Sequence, residues 1–177
     1  MNTKNGWEDI LDADETVLWQ GRPDGGISMR PFQIFEAIFG LFFAGFALFW
    51  MTMAAKGGGS FWMFGLVHFS AGLGVIFHAI FWSAYVRKHS NYSLTDRRAF
   101  IASKLPLVGK RLQSYPISKE TPLELVDGAL SSLYFASKSR RGKNGNTYTT
   151  PVGFERIRDG REVYRLMRDI QSRSSQD

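Results

Sequence analysis

The chain has 177 residues, with 22 basic and 16 acidic side chains and no cysteine. This length excludes a large multidomain enzyme, and the lack of cysteine excludes disulfide bonds and cysteine-ligated zinc or iron-sulfur sites. The charges are unevenly distributed, because residues 37–86 contain a single charged side chain, that of Lys56. The sequence therefore combines a membrane-like stretch with water-soluble segments.

Two apolar segments are long enough to be transmembrane helices. Residues 37–55 contain no Asp, Glu, Lys or Arg, and a helix of that length covers ~28 Å, close to the hydrocarbon thickness of a bilayer. Residues 61–86 are also uncharged, and their ~39 Å of helix requires a tilt or a kink. Apolar side chains occupy every face, whereas a buried hairpin of a soluble protein needs polar outer faces. We predict two membrane spans, with the soluble hairpin as the alternative.

A short connector joins the two predicted spans. Residues 56–60 read Lys-Gly-Gly-Gly-Ser, a composition that allows a tight reversal, so the helices should run antiparallel and touch. Small residues spaced four apart place Gly40 with Ala44, and Ser70 with Gly74, on one face of each helix. We expect these pairs to form the contact between the spans.

Basic residues near the spans predict the orientation. Both outer flanks are richer in Lys and Arg than the connector, so the positive-inside rule places both termini in the cytoplasm. The flanking basic residues are Arg22 and Arg30 before the first span, and Arg87, Lys88, Arg97, Arg98 and Lys104 after the second. Residues 1–30 carry an acidic excess and no apolar core, so we expect no cleavable signal peptide. The predicted location is the cytoplasmic (inner) membrane, crossed more than once.

The C-terminal part has the pattern of a small sheet closed by a helix. Residues 87–177 are net basic and alternate short apolar runs with turn signals such as Asp127-Gly128 and Asn144-Gly145. The predicted strands are 91–94, 98–104, 112–117, 123–126, 130–137 and 147–157, the last lying at an edge or a bulge because of Pro151. A helix then follows, with Asp159 and Glu162 as a capping box. Its apolar stripe is Val163, Leu166, Met167 and Ile170.

Two motifs resemble a known family. The run Glu15-Thr-Val-Leu-Trp-Gln-Gly-Arg-Pro23 precedes the hairpin, and Asn91-Tyr-Ser-Leu-Thr-Asp-Arg-Arg-Ala-Phe-Ile101 follows it. Together they resemble bacterial membrane proteins that carry a pleckstrin-homology-like (PH-like) domain. The resemblance implies a partly open antiparallel barrel capped by a C-terminal helix. The glycine pair often found in the middle of that barrel is missing, since residues 128–133 have only Gly128.

Similar sequences are sometimes labelled as the catalytic subunit of aspartate carbamoyltransferase, and the residues do not support that label. Such an enzyme is a soluble two-domain α/β protein with a Ser-Thr-Arg-Thr phosphate loop, and this chain has neither the length nor the loop. We therefore predict an α+β membrane protein with a two-helix transmembrane hairpin and a small antiparallel PH-like barrel with a C-terminal helix. The predicted division is a cytoplasmic segment at 1–30, the hairpin at 31–86 and a cytoplasmic PH-like domain at 87–177.

Two ionisable residues lie inside the predicted hairpin. Glu36 is six residues beyond Arg30 and His78 is nine residues before Arg87, so an antiparallel hairpin places them at similar depths, ~9 and ~13 Å from the cytoplasmic flanks. They are candidates for an intramembrane polar pair, because ionisable groups within spans are often functional. In the alternative, Glu36 reaches back to the interface or to Arg30, and His78 bonds a backbone carbonyl.

No metal or cofactor is predicted. His68 and His78 lie ten residues apart on one helix, which separates them by ~15 Å, so they cannot coordinate the same haem iron. The first span offers no matching histidine. The chain also has no G-x-S-x-G, Walker, dinucleotide-binding or H-E-x-x-H motif. We therefore predict a protein that is not an enzyme.

A cluster of four cations is the predicted lipid-binding site. Lys138, Arg140, Arg141 and Lys143 lie at a predicted hairpin tip, where each cation near an anionic bilayer contributes ~1 kcal/mol. A solvated loop has the same composition, so both interpretations are open. Further arginines lie along the last helix, where Glu162 and Asp169 at pairing distance favour a self-neutralised face. They are Arg158, Arg161, Arg165 and Arg168.

The functional hypothesis follows from this placement of charge. The basic part adjoins a bilayer whose inner surface is itself negative. The expected polyanionic partner is therefore phospholipid, and no binding of nucleic acid is expected. We predict a non-enzymatic membrane protein that displays a lipid- or protein-binding PH-like module, with protein partners or a homo-oligomer as possible assemblies. The alternative is an accessory subunit of a transporter or channel that uses Glu36 and His78 in the membrane.

Overall fold

The computed structural model describes an α+β protein. The described residues are Trp7, 10–106, 109–142 and 144–174. The strands are β1 (Val17–Gly21), β2 (Ser90–Thr95), β3 (Arg98–Leu105), β4 (Gly109–Pro116), β5 (Glu124–Val126), β6 (Ser131–Arg141) and β7 (Thr147–Ile157). The helices are α1 (Pro31–Lys56), α2 (Phe64–Lys88) and α3 (Gly160–Arg173), with a 3-10 turn at Phe61–Met63. The six strands and three helices predicted from the sequence are all present, with shifted ends, and β1 was not predicted.

The chain divides into two compact units. One consists of Met1–Asp24 and Arg87–Asp177, and the other of Gly25–Val86. The segment predicted at 1–30 contributes β1, which pairs antiparallel with β2 and so belongs to the same sheet as the C-terminal strands. The apolar unit is an insertion in sequence between two neighbouring strands of the other unit.

The apolar unit is a pair of long helices that are mostly uncovered. Mean hydropathy is 2.0 for Pro31–Lys56 and 1.7 for Phe61–Lys88, and only 22% and 17% of their most apolar windows are buried. A core helix of a soluble protein is mostly buried, and these helices are not. Both are long and apolar enough to cross a membrane, which suggests a membrane protein.

Small residues form the contact between α1 and α2, but not all of those predicted. Gly40 and Ala44 are buried in α1, as expected. On α2 the contact is made by Gly72, where an added Cβ would lie 2.8 Å from the Cβ of Ala44. Ser70 and Gly74 are exposed, and an added Cβ at Gly74 would meet nothing within 4 Å. The predicted Ser70/Gly74 contact is wrong because the buried face of α2 lies on the opposite side of the helix.

The connector between the helices is as predicted. Helix α1 ends at Lys56, and Gly58 and Gly59 adopt φ values of 78° and 80°. Only glycine occupies this left-handed region at no steric cost. The run of glycines therefore permits the reversal that brings α2 back beside α1.

The other unit consists of two antiparallel sheets and α3. The strands are ordered β1-β2-β3-β4 in one sheet and β5-β6-β7 in the other. In the described part of the chain these sheets are separate, so the strands do not form a closed barrel. Strand β7 is at the edge of its sheet, as Pro151 predicted.

The core of this unit lies between the sheets and α3. Leu94, Leu133 and Phe154 are fully buried, and α3 contributes Val163 and Met167 at one helical spacing. The predicted apolar stripe of α3 is therefore confirmed. The predicted capping box is not, because the side chain of Asp159 makes no capping hydrogen bond although the residue stands at the N-cap position.

Candidate functional site

The predicted basic tip belongs to the β6–β7 hairpin, the longest in the protein's described sheets. Each of its strands has 11 residues, and Gly145 at the turn has a φ of 78°. Arg140 and Arg141 lie at the end of β6, opposite Tyr148 and Thr147 of β7. Lys143 falls outside the described residues.

Lys138 differs from the other predicted cations because it folds back onto the domain. Its Nζ donates a hydrogen bond to Oε1 of Gln113 and lies 5.6 Å from the centre of the Tyr115 ring. The Tyr115 ring in turn contacts Phe135 of the core. Lys138 therefore holds β6 against β4, and less of its charge is available to a ligand than the sequence indicated.

Arg140 and Arg141 are both exposed. In the described residues neither makes an ion pair. The chain has no acidic residue between Asp127 and Glu155, so the tip of this hairpin carries no carboxylate of its own. Among the described cations of the predicted set, these two guanidinium groups are the most available.

A second basic hairpin lies beside the first and was missed as a site in the sequence analysis. In the β3–β4 hairpin, Lys104 is directly opposite Lys110, an arrangement in which like charges destabilise a sheet. Arg111 is the next residue of β4, opposite Ser103. The signal was present in the sequence, because no acidic residue occurs between Asp96 and Glu120.

Two contacts bring β6 of the first hairpin beside β4 of the second. Phe135 of β6 contacts Tyr115 of β4, and Lys138, three residues nearer the β6–β7 tip, reaches Gln113, which is nearer the β3–β4 tip. The two tips carry Lys104, Lys110, Arg111, Arg140 and Arg141. We call these five residues the basic end.

The edge of the sheet at the β3–β4 tip carries the strand ends that connect to the apolar unit. Gly21 at the end of β1 is opposite Tyr92, and Ser90 at the start of β2 is opposite Ser103 near the end of β3. Leu105 then pairs with Gly109 across the β3–β4 turn. The chain thus leaves toward α1 and returns from α2 at the edge from which the β3–β4 tip extends.

The strand ends at this edge are fixed by a polar cluster that sequence reasoning did not find. The backbone N–H of Asp24 donates to the carbonyl of Arg156 at 2.9 Å, and Nη2 of Arg156 donates to Oδ1 of Asp24 at 3.0 Å. Nε of Arg87 donates to the carbonyl of Asp24 at 3.3 Å. Arg156 has a φ of 52°, a costly conformation for a side chain of its size. Asp24, where the chain leaves the sheet unit, is therefore bonded to β7. Arg87, where the chain returns to that unit, is bonded to Asp24.

A second cluster ties the N-terminal segment to the β2–β3 turn. The buried carboxylate of Glu15 accepts hydrogen bonds from Arg98, from the hydroxyl of Thr95 and from the backbone of Asp12. Burial alone would raise the pKa of Glu15, but these hydrogen bonds outweigh it and lower the pKa to about 2. The cluster therefore stabilises the fold.

The predicted pair in the apolar unit is brought together. Nδ1 of His78 lies 2.9 Å from Oε1 of Glu36, and the imidazole stacks on Trp82. The side chain of His78 is 56% exposed and that of Glu36 is 24% exposed. Of the two interpretations that the sequence left open, this geometry agrees with pairing.

His68 lies away from this pair, in an apolar groove. Its Nδ1 is 3.4 Å from the carbonyl of Phe64, one turn earlier in α2. The groove has a volume of about 290 Å³ and is lined by Phe43, Phe46, Ala47, Trp50, Phe64, Gly65 and His68. Within the described residues, no group of three or more His, Asp or Glu side chains is placed to hold a metal ion.

One of the helix arginines is neutralised, but not within α3. Arg161 forms a salt bridge with Asp127 in the β5–β6 turn, and that hydrogen bond lowers the pKa of Asp127. Asp127 also accepts hydrogen bonds from Ser131 and from the backbone of Gly128. Pairing with Glu162 or Asp169 does not occur for this arginine, so the expected self-neutralisation of the face is wrong at Arg161.

No protein-family model matches the chain, and no curated protein or solved structure is significantly similar to it.

Proposed function

We propose that this protein is a non-enzymatic membrane protein of the bacterial inner membrane that holds a PH-like module at the cytoplasmic face, where the module binds anionic phosphate headgroups. The observation that carries the proposal is the basic end, in which two hairpin tips without acidic residues carry five cations. The order of four strands, three strands and a C-terminal helix supports a PH-like fold.

The electrostatics of the basic end favour a phosphate ligand. Lys104 and Lys110 face each other across the strands, so a bound anion relieves a repulsion that the free protein bears. Arg140 and Arg141 are exposed and available for bidentate hydrogen bonds to phosphate oxygens. The ligand is therefore expected to bind through its charge, and added salt should weaken it.

The chain connectivity supports a membrane-bound source of that phosphate. Asp24 is followed by only six residues before α1 begins at Pro31, and Arg87 belongs to the last turn of α2. If α1 and α2 cross the bilayer, the strand ends beside the β3–β4 tip are within a few residues of the headgroups. The anchor then supplies a high local concentration of lipid phosphate.

The experiment uses a soluble form of the module. Nε of Arg87 is 3.3 Å from the carbonyl of Asp24, so residues 10–24 and 87–174 can be joined by a short Gly-Ser linker in place of the hairpin. We expect this form to bind vesicles that contain phosphatidylglycerol and not pure phosphatidylcholine vesicles. Circular dichroism first checks that the joined form is folded.

A matched pair of variants tests the site. Arg140→Glu with Arg141→Glu should weaken vesicle binding at least about tenfold, because each cation contributes ~1 kcal/mol. Arg165→Glu with Arg168→Glu changes the net charge equally on the exposed side of α3 and should have a much smaller effect. Equal losses in the two variants, or no binding by the folded parent, would contradict the proposal. Retained capture of a protein partner without vesicle binding would indicate a protein-binding module instead.

A second candidate is favoured by the Glu36–His78 contact. A hydrogen-bonded ionisable pair on apolar helices is expensive in a bilayer and therefore often functional. In that case the protein is an accessory subunit of a transporter or channel, because two helices alone cannot enclose a pore. Loss of Glu36 should then impair transport by the assembly and leave vesicle binding by the module unchanged.

A further inference from the structure

The Glu36–His78 pair is incomplete within one copy of the chain. The contact uses Nδ1 of His78 and Oε1 of Glu36. In the described residues, the other ring nitrogen of His78 and the other carboxylate oxygen of Glu36 have no partner. The side chain of His78 is also 56% exposed. In a hydrocarbon environment these unsatisfied polar atoms cost several kcal/mol, unless another polar group reaches them.

An uncovered helix face lies next to the pair. Five exposed residues of α2 recur at spacings of four and three, the period of a helix–helix contact. They are Val67, Ala71, Gly74, His78 and Phe81, and we call them the exposed seam. An added Cβ at Gly74 would meet nothing within 4 Å, so another backbone has room to approach closely there. The seam is distinct from the face that packs on α1, which contains Gly65, Gly72 and Ala79.

We infer that a second copy of this chain covers the exposed seam and completes the polar pair. Two copies inserted in the same direction place identical residues at the same depth, so His78 of one copy lies level with the partner's Glu36. Each copy has one unused ring nitrogen and one unused carboxylate oxygen, which makes the surface self-complementary about a two-fold axis. The second nitrogen of each imidazole then hydrogen-bonds the second oxygen of the partner's Glu36. The dimer site is thus built from two residues of each chain.

This inference rests on the proposed membrane insertion of α1 and α2. In water the exposed side chain of His78 would bond solvent, and a partner would not be needed. Membrane insertion and dimerisation are therefore measured separately, so that the failure of one is not mistaken for the failure of the other.

Cysteine cross-linking of the full chain in native membranes tests the contact. Because the chain has no cysteine, Ala71→Cys introduces a single thiol on the seam. Leu73→Cys is the matched control, since Leu73 is also exposed but lies about 80° or more around the helix from every residue of the seam. We expect mild oxidation to give a disulfide-linked dimer for A71C and at least about fivefold less for L73C. Monomer from A71C, or equal cross-linking of both variants, would overturn the inference.

Variants of the pair separate hydrogen bonding from packing. Glu36→Leu and His78→Leu, each in the A71C background, should reduce the cross-linked fraction about three- to tenfold, the range measured for interhelical hydrogen bonds in membranes. The exchanged variant E36H/H78E restores two carboxylates and two imidazoles at one depth and should recover most of the dimer. Unchanged cross-linking in both Leu variants would overturn the role of the pair.

Alkaline carbonate extraction of the same membranes supplies the separate readout for insertion. A chain that stays in the pellet but does not cross-link at A71C contradicts the dimer and leaves the proposed function standing. A chain that is extracted contradicts both.

Discussion

Glu15 and Arg98 form an ion pair across 83 positions of sequence, with Nε of Arg98 donating to Oε1 of Glu15 at 3.0 Å. The second guanidinium nitrogen donates to the other carboxylate oxygen, so the contact is bidentate. This pair joins the segment before the apolar helices to the sheet that follows them. Glu15 is therefore part of the same module as Arg98.

Glu15→Gln should destabilise the module in a pH-dependent way. Folding lowers the pKa of Glu15 from 4.5 to about 2, so its contribution is complete above pH 4.5 and is lost as the pH falls toward 2. At neutral pH we expect a loss of about 2–3 kcal/mol in the free energy of unfolding. Guanidinium unfolding of the linker-joined module at several pH values measures it.

Exposed Glu120 provides the control for this prediction. Glu120→Gln should change the free energy of unfolding by less than about 0.5 kcal/mol at any pH. If E15Q and E120Q have the same stability at neutral pH, Glu15 does not hold the N-terminal segment to the sheet.

Gly72→Ala and Gly45→Ala should have opposite effects on the helical hairpin. An added Cβ at Gly72 would lie 2.8 Å from both the Cβ and the backbone nitrogen of Ala44, whereas one at Gly45 would meet nothing within 4 Å. Gly72→Ala therefore forces the helices apart, and Gly45→Ala gains helix propensity of up to ~1 kcal/mol. Thermal unfolding of the full chain in detergent should show a lower midpoint for G72A only. A lower midpoint for G45A alone would contradict this packing.

Substitution of Lys138 should affect the stability of the module, whereas substitution of Arg140 should affect vesicle binding. Lys138 contacts Gln113 and Tyr115, so Lys138→Ala should lower the free energy of unfolding of the module by about 1 kcal/mol. Arg140→Ala should leave stability unchanged and weaken binding to phosphatidylglycerol vesicles about fivefold. The reverse pattern would mean that Lys138, and not Arg140, provides the ligand contact.

The orientation of the hairpin can be read from thiol labelling. In the proposed topology Ser60→Cys is outside the cytoplasm and Ser118→Cys is inside, because most flanking cations lie on the other side from the connector. A membrane-impermeant maleimide added to intact cells should label S60C and should reach S118C only after permeabilisation. The opposite pattern would reverse the topology.

Local sequence patterns predicted most of the elements for physical reasons. The turn dipeptides and alternating runs predicted six strands, and the 3.6-residue stripe predicted α3, because these signals depend on neighbouring residues. Strand β1 was missed because five residues, Val17–Gly21, form a strand only through pairing with β2 more than 70 positions later. No local signal reports such a partner.

The candidate sites show the same limit. The depth of Glu36 and His78 followed from the helical rise, and the structure brings them to 2.9 Å. The face of α2 that packs on α1 was assigned wrongly, because Gly72 and Gly74 are both small and only the helix rotation distinguishes them. The availability of the Lys138 charge to a ligand was overestimated, because its partners, Gln113 and Tyr115, lie on another hairpin.

The central claim is that α1 and α2 are embedded in a bilayer. Its most direct test is ultracentrifugation of a detergent-free lysate of cells that express the untagged chain, followed by an alkaline carbonate wash of the pellet. We predict that the chain remains in the washed pellet and enters solution only with detergent. A chain found in the first supernatant would contradict the claim, since mostly uncovered helices of mean hydropathy 2.0 and 1.7 would then be stable in water.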